Sequence, residues 1–345
     1  MRAMLPSALV NLPEHVRGLL DVHRANLRNR TYATAALNPP TIAHQIVPVT
    51  TADGAKLRVH AYGPADRQVI VLVHGWTCAI EYWNAQINAF AGEYRVIAYD
   101  QRGHGESELG SSPLTTDLLA DDLAAVLEAT LRPGRKAVLV GHSLGGMTLQ
   151  AWAGRYPERV AERALAVLLT NTAPHGLVAT TTVVPLFNRP LPLLKFRIPL
   201  PAFIGRLGLG APILFPPLAP VRWLFARQIM TLAATDDEID FSMAIVRSCP
   251  ARVRAEFGIL LAEMDLGESA RNLVVPTTVL AGSLDDMTPP AHSELIAEML
   301  NETGTLAKYE VLNTGHLGNT EAHHRFNEEL TQVLESTRTP AEAVG

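Results

Sequence analysis

The chain has 345 residues, of which 48% are hydrophobic and 18% charged, which is typical of a globular protein with a large core. The formal net charge of −5 gives no reason to expect nucleic acid as a partner. Two cysteines, Cys78 and Cys249, lie far apart and lack metal-ligand spacing, so we expect buried free thiols. We recognise no signal peptide or transmembrane span and expect a cytoplasmic protein.

Residues 1–44 are an extension whose main feature is a predicted amphipathic helix over residues 11–29. Asn11 is placed to cap this helix, and Pro13 lies in its first turn. Its apolar residues recur at helical spacing: Val16, Leu19, Leu20 and Leu27. The helix either packs against the main domain or makes a peripheral contact with a membrane surface.

Strand and helix patterns alternate over residues 45–173 and 274–336. Two paired strand signals flank a hairpin turn at Asp53-Gly54. Further strand patterns follow at 68–73, 94–99, 137–140, 164–170, 274–281 and 306–312. Helix patterns separate most of these strands, so we predict an α/β fold with a mainly parallel sheet covered by helices on both faces. Residues 337–345 are expected to be a loose tail.

The stretch 137–146 indicates a strand, a sharp turn and a helix around the pattern Gly-x-Ser-x-Gly. An apolar run leads to Gly141-His142-Ser143, and the sequence continues as Leu144-Gly145-Gly146. The glycines relieve crowding at so tight a turn, and the serine hydroxyl is expected to stand exposed above the sheet edge. The pattern alone is weakly specific, so its meaning depends on partners elsewhere in the chain.

A serine hydroxyl is a poor nucleophile unless a base accepts its proton and a third group orients that base. Asp285 and His316 each follow a predicted strand, and the carboxyl ends of parallel strands lie at one edge of a sheet. We therefore predict Ser143 as the nucleophile, His316 as the base and Asp285 as the acid. Asp286 is the alternative acid, although the spacing from Gly282 favours Asp285.

Two backbone N–H groups are candidates for stabilising the oxyanion, those of Trp76 and Leu144. Trp76 follows His74-Gly75 after a strand, and Leu144 begins the helix after the nucleophile. We expect His74 to support the loop of Trp76 rather than to transfer protons. Other histidines fit the base role less well, because they lie beside motif glycines or on a helix with solvent-facing roles: His104, His142, His323 and His324.

The alternation is interrupted at residues 174–273, which we interpret as a mostly helical cap inserted after the sixth strand. Nine prolines lie between Pro185 and Pro220, and six basic residues but no acidic one between Pro174 and Met230. The basic side chains either remain on the surface or attract anionic lipid or a charged leaving group. The apolar side chains either pack the cap onto the body or line a substrate pocket: Phe187, Phe196, Phe203, Ile213, Leu214 and Phe215.

Together these motifs resemble the α/β-hydrolase fold superfamily over roughly residues 45–335. The matching segments are Val73-His74-Gly75-Trp76, Asp100-Gln101-Arg102-Gly103-His104-Gly105-Glu106-Ser107, Gly141-His142-Ser143-Leu144-Gly145-Gly146, Gly282-x-x-Asp285 and Gly315-His316. They are similar to the esterase, lipase and non-haem peroxidase-like branch. The resemblance implies an eight-stranded sheet, a cap between strands six and seven and no cofactor. We expect no metal site. Asp100 and Arg102 resemble the family's structural ion pair. Epoxide hydrolases and haloalkane dehalogenases of this fold use an aspartate in place of the serine.

The sequence therefore predicts a serine hydrolase that cleaves carboxylic esters with apolar acyl or alcohol groups through an acyl-enzyme. A lipase, thioesterase, lactonase or perhydrolase would need the same triad. Two alternatives of other classes are a non-catalytic binding protein that uses the capped pocket and a lipid-surface module built from the N-terminal helix and the cap. The expected partner is a small-molecule ester or a lipid, and the oligomeric state stays open.

Overall fold

The computed structural model describes residues 14–177 and 218–338, with side chains from Asp21 onward. The six residues predicted to line the substrate pocket, between 187 and 215, lie outside the described residues, as does the tail from residue 339. Cys78 and Cys249 are buried and form no disulfide, as expected.

The described residues contain ten strands and eleven α-helices. The strands are β1 His44–Ile46, β2 Val49–Thr50, β3 Lys56–Leu57, β4 Val59–Tyr62, β5 Val69–Val73, β6 Arg95–Tyr99, β7 Ala137–His142, β8 Ala164–Thr170, β9 Thr277–Gly282 and β10 Leu306–Leu312. The helices are α1 Glu14–Asn29, α2 Asn84–Phe90, α3 Thr116–Thr130, α4 Leu144–Arg155, α5 Pro157–Arg163, α6 Ala219–Ile229, α7 Asp236–Ser248, α8 Ala251–Glu263, α9 Pro290–Glu302, α10 Gly318–Glu321 and α11 His323–Ser336. Among them, none is both long enough and apolar enough to cross a membrane.

Eight strands form the main sheet in the order β1-β4-β6-β5-β7-β8-β9-β10, and β2 pairs separately with β3. The pairs from β6 to β10 are parallel, whereas β1–β4 and β4–β6 are antiparallel. The register pairs Val73 with both Tyr99 and Gly141, so three central strands end at one level. The predicted eight-stranded, mostly parallel sheet is confirmed, and the loops that follow its parallel strands share one edge.

The strands lack polar alternation because helices cover both faces of the sheet. Within β5, Val71 packs into one apolar cluster with side chains of α3, α4 and α9, such as Trp152. The next residue, Leu72, packs into the opposite cluster with side chains of α2 and α11, such as Phe326. Since successive side chains of a strand point to opposite faces, a strand buried on both sides must be apolar throughout.

The helices α6, α7 and α8 lie between β8, the sixth strand of the main sheet, and β9, where a cap is predicted. The predicted cap limits at 174–273 stay a prediction. One cap arginine, Arg222, binds acidic residues of the same region, with distances of 2.7 Å to Asp236 and 3.0 Å to Asp240. The charge of Arg222 is therefore balanced by carboxylates of the same region.

The N-terminal helix α1 packs along the cap helix α7. Just beyond α1, the Tyr32 ring meets the Phe241 ring edge-on at 5.5 Å, and the Arg30 guanidinium lies 2.6 Å from the Asp240 carboxylate. Of the two alternatives for this helix, packing against the rest of the protein is the one seen here.

The predicted ion pair between Asp100 and Arg102 is wrong. The buried Arg102 guanidinium instead binds Asp122 on α3 at 2.7 Å and Asp53 of the hairpin at 2.8 Å. Asp100 lies 3.2 Å from Arg58. Asp100 directly follows β6, whereas Arg102 lies in the turn beyond it, so their side chains meet different neighbours. Both residues nevertheless belong to the scaffold, as expected.

Candidate active site

Ser143 occupies the sharp turn between β7 and α4, with φ 51° and ψ −119°. This conformation is rare for a residue other than glycine, and hydrogen bonds hold it on both sides. The Ser143 N–H donates to the Thr170 carbonyl at 3.0 Å, and its carbonyl accepts from the Met147 N–H and the Thr172 hydroxyl at 3.1 and 2.8 Å. The turn is therefore a strained position that the surrounding structure enforces.

Ser143 is less exposed than the sequence indicates, with only 6% of its surface accessible. The reason is the close approach of the loop after β5, because a Cβ atom on Gly75 would lie 3.2 Å from the Ser143 Cβ. The nucleophile candidate thus lies beneath a second loop rather than standing free above the sheet.

Gly145 allows the first turn of α4 to approach β5. A Cβ atom at this position would lie 2.0 Å from the Val73 carbonyl oxygen, far inside van der Waals contact. We predict that Gly145→Ala lowers the free energy of unfolding by about 1–3 kcal/mol. Urea unfolding followed by circular dichroism measures this, with Gly92→Ala as control, because a Cβ atom there meets nothing within 4 Å. Equal stability of the two variants would contradict the prediction.

His316, in the loop after β10, is hydrogen-bonded to Asp285, in the loop after β9. The His316 Nδ1–H donates to Asp285 Oδ2 at 2.8 Å, and both side chains are buried. The other carboxylate oxygen, Asp285 Oδ1, accepts the N–H groups of Met287 and Thr288 at 2.8 and 2.9 Å. Asp286 is exposed. The structure thus brings Asp285, and not Asp286, to the imidazole, and leaves Nε2 of the ring to accept a proton.

Ser143 and His316 lie at the same sheet edge, but within the described residues no hydrogen bond joins the Ser143 hydroxyl to the imidazole. A hydrogen bond of an adjacent residue shows that the two are close. The ring of His142, the neighbour of Ser143, donates its Nε2–H to the His316 carbonyl at 2.8 Å. Catalytic hydrogen bonds are often long in sites without substrate and shorten when one binds. The arrangement is therefore compatible with proton transfer between the two side chains.

Asn171, a residue that sequence reasoning missed, helps to hold the His316 loop. Its Nδ2 group donates to the carbonyls of Gly315 and His316 at 2.8 and 3.0 Å. Asn171 directly follows β8 and has a positive φ of 48°. The sequence feature that indicates Asn171 is its position directly after a predicted strand. A polar residue at that position lies at the same sheet edge as the other site residues.

The two predicted oxyanion donors flank Ser143. Leu144 is the first residue of α4, where helical N–H groups have no carbonyl partner within the helix. Trp76 follows Gly75, which packs against Ser143. Neither backbone N–H has an acceptor among residues 14–177 and 218–338. Both N–H groups therefore lack a partner within these residues, and the helix N-terminus at Leu144 favours a negative charge beside Ser143.

Three buried histidines at this edge are neutral supports of the scaffold: His74, His104 and His142. Burial, the main cause in each case, lowers the pKa of His74 to about 3, that of His104 to about 4, and that of His142 well below 6.5. The His74 Nδ1–H donates to the Gly75 carbonyl, and its Nε2 accepts the Gln101 N–H. These bonds fix the loop of Trp76 and leave no role for His74 in proton transfer.

The two neighbouring histidines His323 and His324 differ in their exposure to solvent. His323 is only 8% exposed, and its Nδ1–H donates to the Thr320 carbonyl at 3.3 Å, so it does not face solvent as expected. His324 is exposed. The turn between α10 and α11 directs His323 inward.

Across the part of the chain that the structure describes, no three histidine, cysteine, aspartate or glutamate side chains converge to hold a metal ion.

Comparison with known proteins identifies the family. A model described as the alpha/beta hydrolase family matches residues 70–329. A non-heme chloroperoxidase from Streptomyces lividans is 31% identical over 278 residues, which cover 78% of this chain and 93% of that protein. A bifunctional esterase/perhydrolase from Acinetobacter calcoaceticus is 38% identical over 137 residues, covering 37% of this chain and 49% of that protein.

The fold is shared with solved structures at lower identity. A thermophilic esterase from Thermogutta terrifontis superposes with a TM-score of 0.64 at 24% identity, covering 86% of this chain and 100% of the other. The resemblance read from the motifs is confirmed by these matches. Because the family model matches residues 70–329 and the Streptomyces relative aligns over 93% of its own length, this chain belongs to the α/β-hydrolase family.

Proposed function

We propose that the protein is a serine hydrolase that cleaves carboxylic esters, with Ser143 as nucleophile, His316 as base and Asp285 as the acid that orients it. The observation that carries the proposal is the buried hydrogen bond between His316 and Asp285 at the edge where Ser143 occupies its strained turn. A nucleophile, a base and a group that orients the base are the three parts that acyl transfer requires.

The reaction would proceed in two halves. The Ser143 oxygen attacks the ester carbonyl and passes its proton to His316 Nε2, and the alcohol leaves with that proton. Water then attacks the acyl-enzyme, gives a proton to the same nitrogen and releases the carboxylic acid as the proton returns to Ser143. The N–H groups of Trp76 and Leu144 would stabilise the oxyanion in both halves, at about 3–4 kcal/mol for each donor.

Asp285 contributes by holding one tautomer of His316. Its Oδ2 accepts the Nδ1–H, so the imidazole presents an unprotonated Nε2. Because the Oδ1 atom is occupied by the N–H groups of Met287 and Thr288, the carboxylate cannot rotate away without losing hydrogen bonds. Asp285 then stabilises the imidazolium that forms when Ser143 is deprotonated.

Covalent labelling with a fluorophosphonate tests the nucleophile. We expect stoichiometric labelling of the full chain and complete loss in Ser143→Ala, because only an activated serine attacks phosphorus at a useful rate. Ser111→Ala removes an exposed hydroxyl away from this turn and should still be labelled. Wild-type protein that stays unlabelled would reject the hydrolase proposal, and label retained by Ser143→Ala would reject this serine.

The substrate part of the proposal is a preference for apolar acyl or alcohol groups, and it depends on the apolar composition of the region between β8 and β9. A series of p-nitrophenyl esters of increasing acyl length tests it, with thioesters and lactones in the same panel. Activity confined to acetyl and propionyl esters would contradict it. Contact of the cap with a lipid surface stays a prediction, which flotation of the full chain with liposomes tests.

A further inference from the structure

The loop of His316 is attached to the cap by backbone contacts. The His316 N–H donates to the Ile229 carbonyl at 2.8 Å, which gives a partner to a carbonyl at the C-terminal end of α6. Gly315 lies directly against the next residue, since a Cβ atom on it would meet the Met230 carbonyl carbon at 2.6 Å. The backbone that carries the proposed base therefore touches the end of a cap helix with no side chain between them.

Glu321, the last residue of α10, joins the same two segments. Its Oε1 accepts the Gly315 N–H at 2.8 Å, and its Oε2 accepts the Thr231 N–H at 2.9 Å. One carboxylate thus bridges the residue before His316 and a residue two positions beyond α6. Both oxygens act as acceptors, a role to which the ionised carboxylate, with no donor of its own, is best suited.

These contacts complete the hydrogen bonding of the Gly315–His316 pair. The two carbonyls are held from the sheet side, by Asn171 and His142, as described above. The two N–H groups are held from the other side, by Glu321 and the Ile229 carbonyl. All four polar backbone groups have partners, so the position of the imidazole depends on the cap segment as well as on the sheet.

We propose that Glu321 is a positioning residue for His316, which it serves by bridging the backbone of the base loop to the cap segment at Thr231. The inference rests on the proposed function of His316 as the base. Its consequence is that cap and base are coupled, so a change at Thr231 alters the reactivity of Ser143 through Glu321. Since reacting groups misplaced by about 1 Å lower rates by up to about a hundredfold, the coupling should be measurable in the chemical step.

The test measures the first-order rate constant of fluorophosphonate labelling at saturating probe, using the full chain. Burial, with a smaller contribution from the Glu238 charge, raises the pKa of Glu321 to about 7, so measurements at about pH 8.5 keep the carboxyl ionised. Glu321→Gln retains the shape of the side chain but replaces one acceptor oxygen with a donor. We expect a fall of about tenfold to a hundredfold, with little change in the probe concentration needed for half saturation.

A matched control and a second variant separate positioning from stability. Glu328→Gln makes the same change at an exposed glutamate on α11 and should label at the wild-type rate constant. Thr231→Pro removes the cap N–H, and the extended conformation of Met230 (φ −120°, ψ −156°) is compatible with a following proline. Its rate constant should fall as well, and the double variant should show no further loss, because both changes break one bridge.

The outcomes are distinct. If Glu321→Gln is labelled at the wild-type rate constant and only the fraction of protein labelled falls, the proposal is overturned. Loss of folded protein changes the final extent of labelling, but not its rate constant. If the fold-reduction in the labelling rate constant of the double variant equals the product of the two single reductions, the two residues act independently. That result would overturn the bridge to the cap. Wild-type protein that is never labelled would instead remove the proposed function, before any variant is compared.

Discussion

Asp285→Asn is expected to lower kcat for ester hydrolysis by about 10⁴-fold, while the protein stays folded. The expected loss follows from the hydrogen bonds around the carboxylate. Met287 and Thr288 both donate N–H groups to Asp285 Oδ1, so the asparagine oxygen will take that place and its NH₂ group will face His316. A donor facing Nδ1 stabilises the tautomer protonated at Nε2, which cannot accept the Ser143 proton.

The adjacent residue provides the control. Asp286 is exposed, and Asp286→Asn should retain kcat within a factor of about two, because the carboxylate that accepts the His316 Nδ1–H is that of Asp285. Steady-state kinetics on a p-nitrophenyl ester gives both values, and circular dichroism verifies folding. A large loss in Asp286→Asn with little change in Asp285→Asn would reverse the assignment of the acid.

Arg102→Met is expected to lower the free energy of unfolding by about 3–5 kcal/mol. The guanidinium is fully buried and binds Asp122 through two hydrogen bonds of 2.7 and 2.8 Å. It also binds Asp53, whose pKa it holds well below its usual range. Methionine fills a similar volume but leaves the two carboxylates without a cation, and an unpaired buried charge is among the most destabilising changes in a protein.

Urea denaturation measures this loss, with Arg155→Met as the comparison. Arg155 also pairs with two aspartates, Asp117 and Asp121, but at the surface, where water replaces the lost partner. Its replacement should cost less than about 1 kcal/mol. Equal losses at positions 102 and 155 would show that burial does not decide the contribution of these ion pairs.

Much of the architecture could be predicted because it depends on local patterns. Apolar runs such as Val69–Val73 must be buried on both faces, and the helices between them cover those faces whatever their detailed packing. The order Ser143, Asp285, His316, with each residue directly after a strand, was also visible, since the carboxyl ends of parallel strands meet at one edge. These features need no knowledge of side-chain directions.

The direction of an individual side chain is a feature that the sequence pattern does not encode. Spacing from Gly282 favours Asp285 over Asp286, but it is the turn after β9 that directs the Asp285 side chain inward to His316 and leaves Asp286 exposed. The family resemblance pairs Arg102 with Asp100, whereas the fold brings the Arg102 side chain to Asp122 and Asp53. Sequence spacing constrains where a residue lies along the chain, but not which neighbour its side chain meets.

The α/β architecture, the family and the candidate catalytic residues are readable in the amino-acid sequence, because they follow from burial patterns and motif spacing. The residues that support the proposed base are found only in the folded molecule. Glu321 reaches Thr231, 90 positions away in the chain, and Asn171 reaches His316 across 145 positions. Such contacts arise when separate loops are packed at one sheet edge, and no local pattern encodes them.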